Sequence, residues 1–203
     1  MGLISNGTTI FDAGAIDSGI AKGALTFIKK LTASNASTLT FHNGSSGVVL
    51  DSTYKEYIFT FNNIHTSNDG GKFQFQGNAA GGSGFDETMV STYFHAQHNH
   101  GGTFTRLGYR TAHDNAATGF TMFTEGGTAE NERSVSGYLH LFNPSSTTFV
   151  KNFIAVTSNA QSDDYCTTVH ISGYFNTTSA IDEIRFQESA GNFDGDICLY
   201  GIA

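Results

Sequence analysis

Hydrophobic and polar residues alternate along most of this chain, which is the pattern of β-strands that bury one face and expose the other. In the run EYIFTFNNI, residues 56–64, the side chains of Tyr57, Phe59 and Phe61 fall on the same face. Runs of this kind are separated by Gly, Asn, Asp and Ser, the residues that favour turns. The pattern therefore predicts many short strands that direct aromatic side chains toward a core.

Two pairs of adjacent strands are predicted to form hairpins. In the first, SNDGG is the turn between EYIFTFNNI and KFQFQ, whose Phe73 and Phe75 point inward and whose Gln76 points outward. In the second, SGYLHLF and TTFVKNFIAV flank the turn NPSS. Pro144 marks the corner of this second hairpin, because proline cannot occupy a central strand.

The remaining strands are predicted from the same signals at Leu25–Leu31, Thr38–Phe41, Thr88–Ala96, Thr105–Tyr109, Gly119–Thr124, Tyr165–Phe175, Ile181–Gln187 and Ile197–Ile202. No segment has the periodicity of an amphipathic helix, and no repeat of fixed period is visible. Strands of this number and spacing predict an all-β fold, an antiparallel β-sandwich that is jelly-roll-like. Residues 1–22 are predicted to be an extended N-terminal arm, and residues 23–203 a single sandwich domain.

Composition and charge argue against several classes of partner. Ten Lys and Arg stand against 18 Asp and Glu, which gives a net charge of −8. An acidic chain cannot supply the phosphate contacts that drive nucleic-acid binding, so no nucleic-acid partner is expected. No stretch approaches the roughly 20 apolar residues of a membrane span, so no membrane insertion is expected. Cys166 and Cys198 lie in strand patterns, which favours buried free thiols in a reducing cytoplasm and leaves a bridge between them open.

A metal site is the first chemical hypothesis, and it depends on the run HAQHNH. His98 and His100 share one face of the predicted strand while His95 points to the other, so the three converge only across a turn. Zinc requires ligands that converge at about 2.0–2.1 Å. In a trimer, copies of these histidines would be able to meet on the threefold axis. The alternative is a solvated loop, and no metal or other cofactor is predicted.

Oxygen ligands for calcium are the second hypothesis. The segment NFDGD, residues 192–196, begins like a calcium loop. The chain supplies no glutamate at the twelfth position that such a loop requires. A polar turn is therefore predicted for this segment.

Catalytic constellations are weak in this sequence. Asp182 and Glu183 are neighbours on a predicted strand, so their side chains should point to opposite faces, whereas glycan hydrolysis needs two carboxyl groups facing one bond. Asp194 and Asp196 share a face, but nothing in the sequence indicates a groove beside them. The serine-hydrolase motif GxSxG is absent. The sequence therefore predicts a protein that is not an enzyme.

Three loops are the predicted sites of assembly or binding, because loops vary while the sheets that carry them stay rigid. They are Gly77–Gly84, His95–His100 and Glu125–Glu132. Their candidate contact residues are Asn78, Gly82, His98, His100 and Gly126.

Several segments resemble a family of small structural proteins found in tailed phages of marine bacteria, notably of cyanobacteria. The segments are GLISNGTTIFDAGAIDSG, LDSTYKEYIFTFNNIHTSNDGGKFQFQ, GYLHLFNPSSTTFVK and NTTSAIDEIRFQESAGNFDGDICLYGIA. The positions that match the family pattern are Tyr54, Tyr57, Ile184, Arg185, Phe186, Gly191, Asn192, Leu199, Tyr200 and Gly201. The resemblance spans most of the chain. It implies a place in the virion and carries over no catalytic residues.

The resemblance and the residues together predict a non-enzymatic virion protein, assembled in the host cytoplasm. The first expectation is a host-facing tail or fibre component that forms a homotrimer and contacts other virion proteins, with a host surface glycan as a further partner. The alternative is a head decoration protein, which an N-terminal arm lying on a neighbouring subunit would suit. A glycan-binding or polysaccharide-cleaving surface protein is the third hypothesis.

Overall fold

The alternating pattern folds into antiparallel β-sheets in a computed structural model, which describes residues 2–12, 15–16, 23–161 and 164–203. A 3-10 turn covers Thr111–His113. The strands are β1 (Leu3–Ser5), β2 (Thr8–Asp12), β3 (Ala15–Ile16), β4 (Leu25–Ala36), β5 (Thr38–His42), β6 (Glu56–Thr66), β7 (Phe73–Ala79), β8 (Met89–Asn99), β9 (Thr105–Tyr109), β10 (Ala116–Ala117), β11 (Thr121–Met122), β12 (Val135–Phe142), β13 (Lys151–Gln161), β14 (Tyr165–Phe175), β15 (Ile181–Glu188) and β16 (Phe193–Ile202).

Two sheets form the layers of a sandwich. The larger sheet has nine strands in the order β10-β8-β14-β13-β12-β6-β16-β4, with β9 also paired to β8. The smaller sheet has four strands in the order β11-β7-β15-β5. Both sheets direct buried side chains into one core. The predicted all-β antiparallel sandwich is confirmed.

The connections between the first long strands cross from one sheet to the other. The antiparallel pairs β4–β16 and β6–β12 lie in the larger sheet, and the pairs β5–β15 and β7–β11 lie in the smaller one. Successive strands β4, β5, β6 and β7 thus alternate between the sheets, with partners taken in reverse chain order. The jelly-roll description of the sandwich stays a prediction.

Aromatic side chains fill the space between the sheets. The ring of Phe61 on β6 lies 5.1 Å from Phe73, 4.9 Å from Phe123 and 5.4 Å from Phe186, measured between ring centroids. All four side chains are at most 1% exposed. Such offset and edge-to-face contacts add about 0.5–1.5 kcal/mol per pair beyond the burial of apolar area. The core therefore joins the two sheets through phenylalanine.

One predicted hairpin is confirmed and the other is wrong. Strands β12 and β13 pair antiparallel, from Val135 opposite Asn159 to Leu141 opposite Phe153, so the connection that contains Pro144 is longer than the predicted turn NPSS. Strands β6 and β7 lie in different sheets, so SNDGG connects the two layers instead of turning a hairpin. Gln76 also points away from solvent, because its amide donates to the carbonyl oxygens of Glu87 and Thr118 in loops that cover it.

Two further predictions need correction. The segment NFDGD is not a turn, because β16 begins at Phe193 within it and has a bulge between Asp194 and Asp196. The cysteines are free, and Cys166 is exposed. Four strand spacings separate β14 from β16, or about 19 Å, which exceeds the roughly 7 Å limit between the Cα atoms of a disulfide.

The described part of the predicted N-terminal arm is a small antiparallel meander. Strand β1 pairs with β2, and β2 pairs with β3. Its side chains of Leu3, Ile4 and Phe11 are 64%, 60% and 43% exposed. The segment is therefore folded back on itself over these residues, and the rest of positions 1–22 lies outside the described residues. The division into arm and domain stays a prediction.

Candidate functional site

The three histidines of HAQHNH do not form a metal site within the described residues. His95 lies on the inner face of β8 and is fully buried, whereas His98 is exposed on the outer face. His100 follows the strand, and its Nδ1 lies 3.7 Å from Oδ1 of Asp164. No group of three His, Cys, Asp or Glu side chains in this part of the chain converges as metal ligands do.

His95 belongs instead to a buried ion cluster that sequence analysis missed. Nδ1 of His95 lies 2.8 Å from Oε1 of Glu125, close enough for an ion pair but without good hydrogen-bond geometry. Nε of Arg110 lies 2.6 Å from the same oxygen. Gln97 donates its amide to the other carboxylate oxygen at 3.1 Å. The carboxylate of Glu125 thereby ties two loops to β8.

Burial dominates the protonation of the groups around this cluster. Burial lowers the pKa of His95, although the Glu125 carboxylate acts in the opposite direction. Burial likewise lowers the pKa of His113, whose ring lies 4.9 Å from that of Tyr93. The pKa of Tyr93 is raised by the same cause. These groups are buried, so the role of the cluster is structural: it holds the loops of Arg110 and Glu125 against β8.

The loop Glu125–Glu132 is only partly the exposed binding loop that was predicted. Gly126, Gly127 and Thr128 are buried, and exposure begins at Ala129. The carbonyl oxygen of Gly126 accepts a buried hydrogen bond from the amide of Asn159 at 3.1 Å. The prediction of Gly126 as a contact residue is therefore wrong, because this loop covers the widened end of the larger sheet.

The loop Gly77–Gly84 lies beside a groove at one end of the smaller sheet. Across β5, β15 and β7, the register places His42 opposite Glu183 and Glu183 opposite Asn78. The amide of Asn78 donates to Oε2 of Glu183 at 2.9 Å, and His42 forms an ion pair with the other carboxylate oxygen. We call this the loop-end groove; its volume is about 420 Å³. Its walls are completed by Gly81, Gly82, Ser83, Phe85 and Asp182.

The groove corrects the prediction that Asp182 and Glu183 face opposite ways. A bulge at Asp182 sets Ile181 and Glu183 opposite consecutive residues of β7. The extra residue breaks the strict alternation of side chains, since a bulge re-aims the residues around it. Both carboxylates consequently line the same groove. Sequence alone offered no signal for this bulge.

The outer face of the larger sheet is apolar over much of its width. We define the outer apolar face by its residues Leu25, Phe27, Ile58, Val90, Phe94, Tyr138, Phe142, Ile154, Tyr174, Tyr200 and Ile202. Phe27 is 57% exposed and Ile154 is 45% exposed. A shallow groove of about 400 Å³ runs between β8 and β12 across this face. Exposed apolar side chains grouped on one face in this way are characteristic of interaction sites.

Charged groups on this face are few and paired. Nε2 of His140 lies 2.8 Å from Glu56. At the edge of the sheet, Lys30 lies 3.0 Å from Asp196. The net negative charge of the chain is therefore not concentrated here.

Several residues that match the phage-protein pattern contribute to packing. The ring of Tyr54 packs edge-to-face on Tyr57 at 5.8 Å and lies against Gly201, where an added Cβ would come within 2.3 Å of it. Phe186 and Leu199 are fully buried. The pattern thus marks close packing near the chain's end and not a chemical site.

Comparisons with protein-family models, curated proteins and solved structures find no match to this chain. The part of the chain described contains no helix with the length and hydrophobicity needed to cross a membrane.

Proposed function

We propose that this chain is a non-enzymatic structural protein of a tailed-phage virion, located at the tail or its fibres and facing the host, where it acts as a homotrimer. The location in a virion is supported by the sequence resemblance described above. The self-association is supported by the outer apolar face, which is the observation that carries the proposal.

The size of that face suits a specific contact. It spans seven strands, so its width is about 29 Å at a strand spacing of about 4.8 Å. Its length along the strands is roughly 20 Å, which gives about 600 Å² in plan on each copy. A standard protein interface buries about 800 Å² of accessible surface per partner, and accessible surface exceeds area in plan. Acidic groups of the face lie beside Lys30 and His140, so few unpaired charges would be buried by contact between copies.

Self-association would also explain how a protein with shallow grooves binds a host surface. Weak contacts repeated on a symmetric assembly give avidity far beyond that of one site. In a trimer formed through the larger sheet, the loops at the ends of the sandwich would remain free for such contacts.

The oligomeric state is tested by sedimentation of the full chain and of Ile154→Asp, which places a charge at the centre of the face. The matched control is Phe149→Asp, since Phe149 is 68% exposed and lies in the connection between β12 and β13, outside the strands that form the face. We expect the wild type and the control to sediment at three times the chain mass, and Ile154→Asp as a monomer. A monomeric wild type at concentrations of about 100 μM would refute the proposal, because standard interfaces are stable there.

A head decoration protein is the second candidate, and the exposed apolar residues of β1 and β2 favour it. Leu3, Ile4 and Phe11 would gain burial by lying on a neighbouring subunit. Quantitative mass spectrometry of purified virions, with the major capsid protein as reference, separates the two positions. Hundreds of copies per particle would indicate the head, a few dozen or fewer the tail, and absence from the particle would refute both.

A further inference from the structure

We propose that the loop-end groove is a binding site for a neutral saccharide, with the carboxylates of Asp182 and Glu183 as acceptors for sugar hydroxyl groups. The site deepens the proposed host-facing role by naming a ligand class and position. It rests on that role only for the origin of the saccharide, since the residues of the groove alone define the ligand class.

The first step is the preorganisation of Glu183. Its side chain is 19% exposed, and both carboxylate oxygens are fixed, one by the amide of Asn78 and one by His42. A carboxylate has about four lone-pair directions, so these two contacts leave acceptor capacity toward the groove. Hydrogen bonds to a charged acceptor are about twice as strong as neutral ones. Glu183 is therefore held in place to accept hydroxyl protons.

The side chain of Asp182 has no partner among the described residues. Its carboxylate forms no hydrogen bond or ion pair with any residue that the structure describes, while its backbone oxygen accepts from the amide of Asn43 at 2.9 Å. The bulge therefore fixes the backbone of Asp182 and leaves its side chain to the groove. A fold has no need of this arrangement, whereas a hydroxylated ligand would use it.

The third step concerns Asn78, which is only 7% exposed and whose Oδ1 has no hydrogen-bond partner in the described part of the chain. The other end of its amide donates to the carbonyl oxygen of Gly82 at 3.4 Å. A Cβ at Gly82 would come within 2.5 Å of Oδ1, so only glycine can close the loop over this amide. Asn78 is thus a positioning residue that joins the loop to Glu183, and its unpaired oxygen is a cost that the fold alone does not explain.

The walls of the groove combine apolar and polar surface. Phe85 contributes an aromatic ring to the wall, and its position is fixed by Arg185, whose guanidinium carbon lies 3.8 Å from the ring centroid. Ser83 adds a hydroxyl group, and the glycines allow close approach of a ligand to the backbone. An apolar ring beside fixed polar acceptors suits a sugar, which presents both C–H and O–H groups. The volume of about 420 Å³ lies in the range of small-ligand sites.

Charge disfavours the main competing ligands. The carboxylates of Asp182 and Glu183 repel phosphate, sulfate and acidic sugars, while the guanidinium of Arg185 is stacked on the ring of Phe85. A divalent cation would need a further converging ligand, and the described residues contain no group of three acidic, histidine or cysteine side chains that provides it. A neutral polyhydroxyl ligand remains as the class that the groove fits.

The test uses the full chain and a panel of neutral saccharides, namely glucose, galactose, mannose, N-acetylglucosamine, lactose and maltose. Saturation-transfer difference NMR identifies those that bind, and titration calorimetry gives their Kd. We expect at least one to bind, and Asp182→Asn to weaken it about tenfold to a hundredfold, as for a lost hydrogen bond to a charged acceptor. Glu130→Gln, an exposed acid outside the groove, is the matched control and should leave Kd unchanged.

Glu183→Gln is a second variant at the groove. If Glu183→Gln fails to fold, the result for Asp182→Asn decides. Binding of no saccharide in the panel would overturn the inference, as would binding that Asp182→Asn leaves unchanged. Cleavage of a bound disaccharide would support the site while refuting the non-enzymatic assignment. Sedimentation and copy number do not depend on the groove, so failure of the site and failure of the proposed function are distinguishable.

Discussion

Glu188 should make the stability of this protein fall as the pH rises through neutrality. Ile184 and Phe186 point into the core from β15, so Glu188, two residues further on, also points inward. It is 7% exposed, and its Oε2 has no hydrogen-bond partner among the described residues. The adjoining cavity of about 10 Å³ has room for about one water molecule. Burial raises the pKa of Glu188 to about 8 from an ordinary value of 4.5.

The sign and size of the effect follow from proton binding. Between the two pKa values the folded state keeps a proton that the unfolded state has lost, so the free energy of unfolding decreases by about 1.4 kcal/mol per pH unit. The full difference of about 3.5 units corresponds to about 5 kcal/mol, complete above the folded-state value. Between about pH 6.5 and pH 8.5 the expected loss is about 2 kcal/mol.

The assay is urea denaturation of the wild type and Glu188→Gln across this pH range. Glutamine keeps the shape of the side chain and cannot ionise, so the variant should gain about 2 kcal/mol relative to the wild type between the two pH values. Subtracting the free energy of unfolding of one protein from that of the other cancels the contribution of the histidines, because their lowered pKa values affect both proteins alike. Exposed Glu132→Gln serves as the control and should follow the wild type. A difference between wild type and Glu188→Gln that stays constant with pH would refute the reasoning.

Three further substitutions test the buried ion cluster, the aromatic core and the packing of Tyr54 on Gly201. Glu125→Gln should lower the free energy of unfolding by about 2–3 kcal/mol in urea denaturation at pH 7. This is below the usual range for a broken buried ion pair, because the arginine partner is partly exposed. A loss under about 1 kcal/mol would show that the cluster does not hold its loops. Phe61→Ala should cost about 3–5 kcal/mol in guanidinium denaturation and Phe149→Ala less than about 0.5 kcal/mol, and equal values would contradict the described core. Gly201→Ala should lower the midpoint of thermal unfolding by overpacking against Tyr54, at about 1–3 kcal/mol, and Tyr54→Ala in the same chain should restore part of it; additive losses would exclude this contact as the cause.

The loop-end groove shows where prediction from the sequence stopped. Asn78 and Gly82 were expected in a binding loop, and the structure places both at the groove. His42 and Phe85 were missed, and Glu183 was considered only as half of a carboxylate pair, because these residues come together through the pairing of β5, β15 and β7 and the loop that follows β7. Residues 36 or more positions apart in the chain become neighbours by a register that no local pattern records.

The sequence by itself determined where the strands lie and which side chains share a face of each strand, and therefore the class of fold. Alternation with a period of two is a local property, so Tyr57, Phe59 and Phe61 had to share a buried face whatever their partners were. The same alternation cannot say which strand lies beside another. That is why β6 and β7 resembled a hairpin while the tertiary structure placed them in facing sheets, where both bury their aromatic faces in one core.

Only the tertiary structure decided which polar residues are exposed and which are enclosed. His95 and His98 belong to one short run, yet the strand turns one toward Glu125 and the other toward solvent. The bulge at Asp182 brings two neighbouring carboxylates into one groove, because one extra residue shifts every side chain around it. The sharing of a strand face follows from the chain's local pattern, whereas these juxtapositions follow from contacts between distant segments, which form only when the sheets are complete.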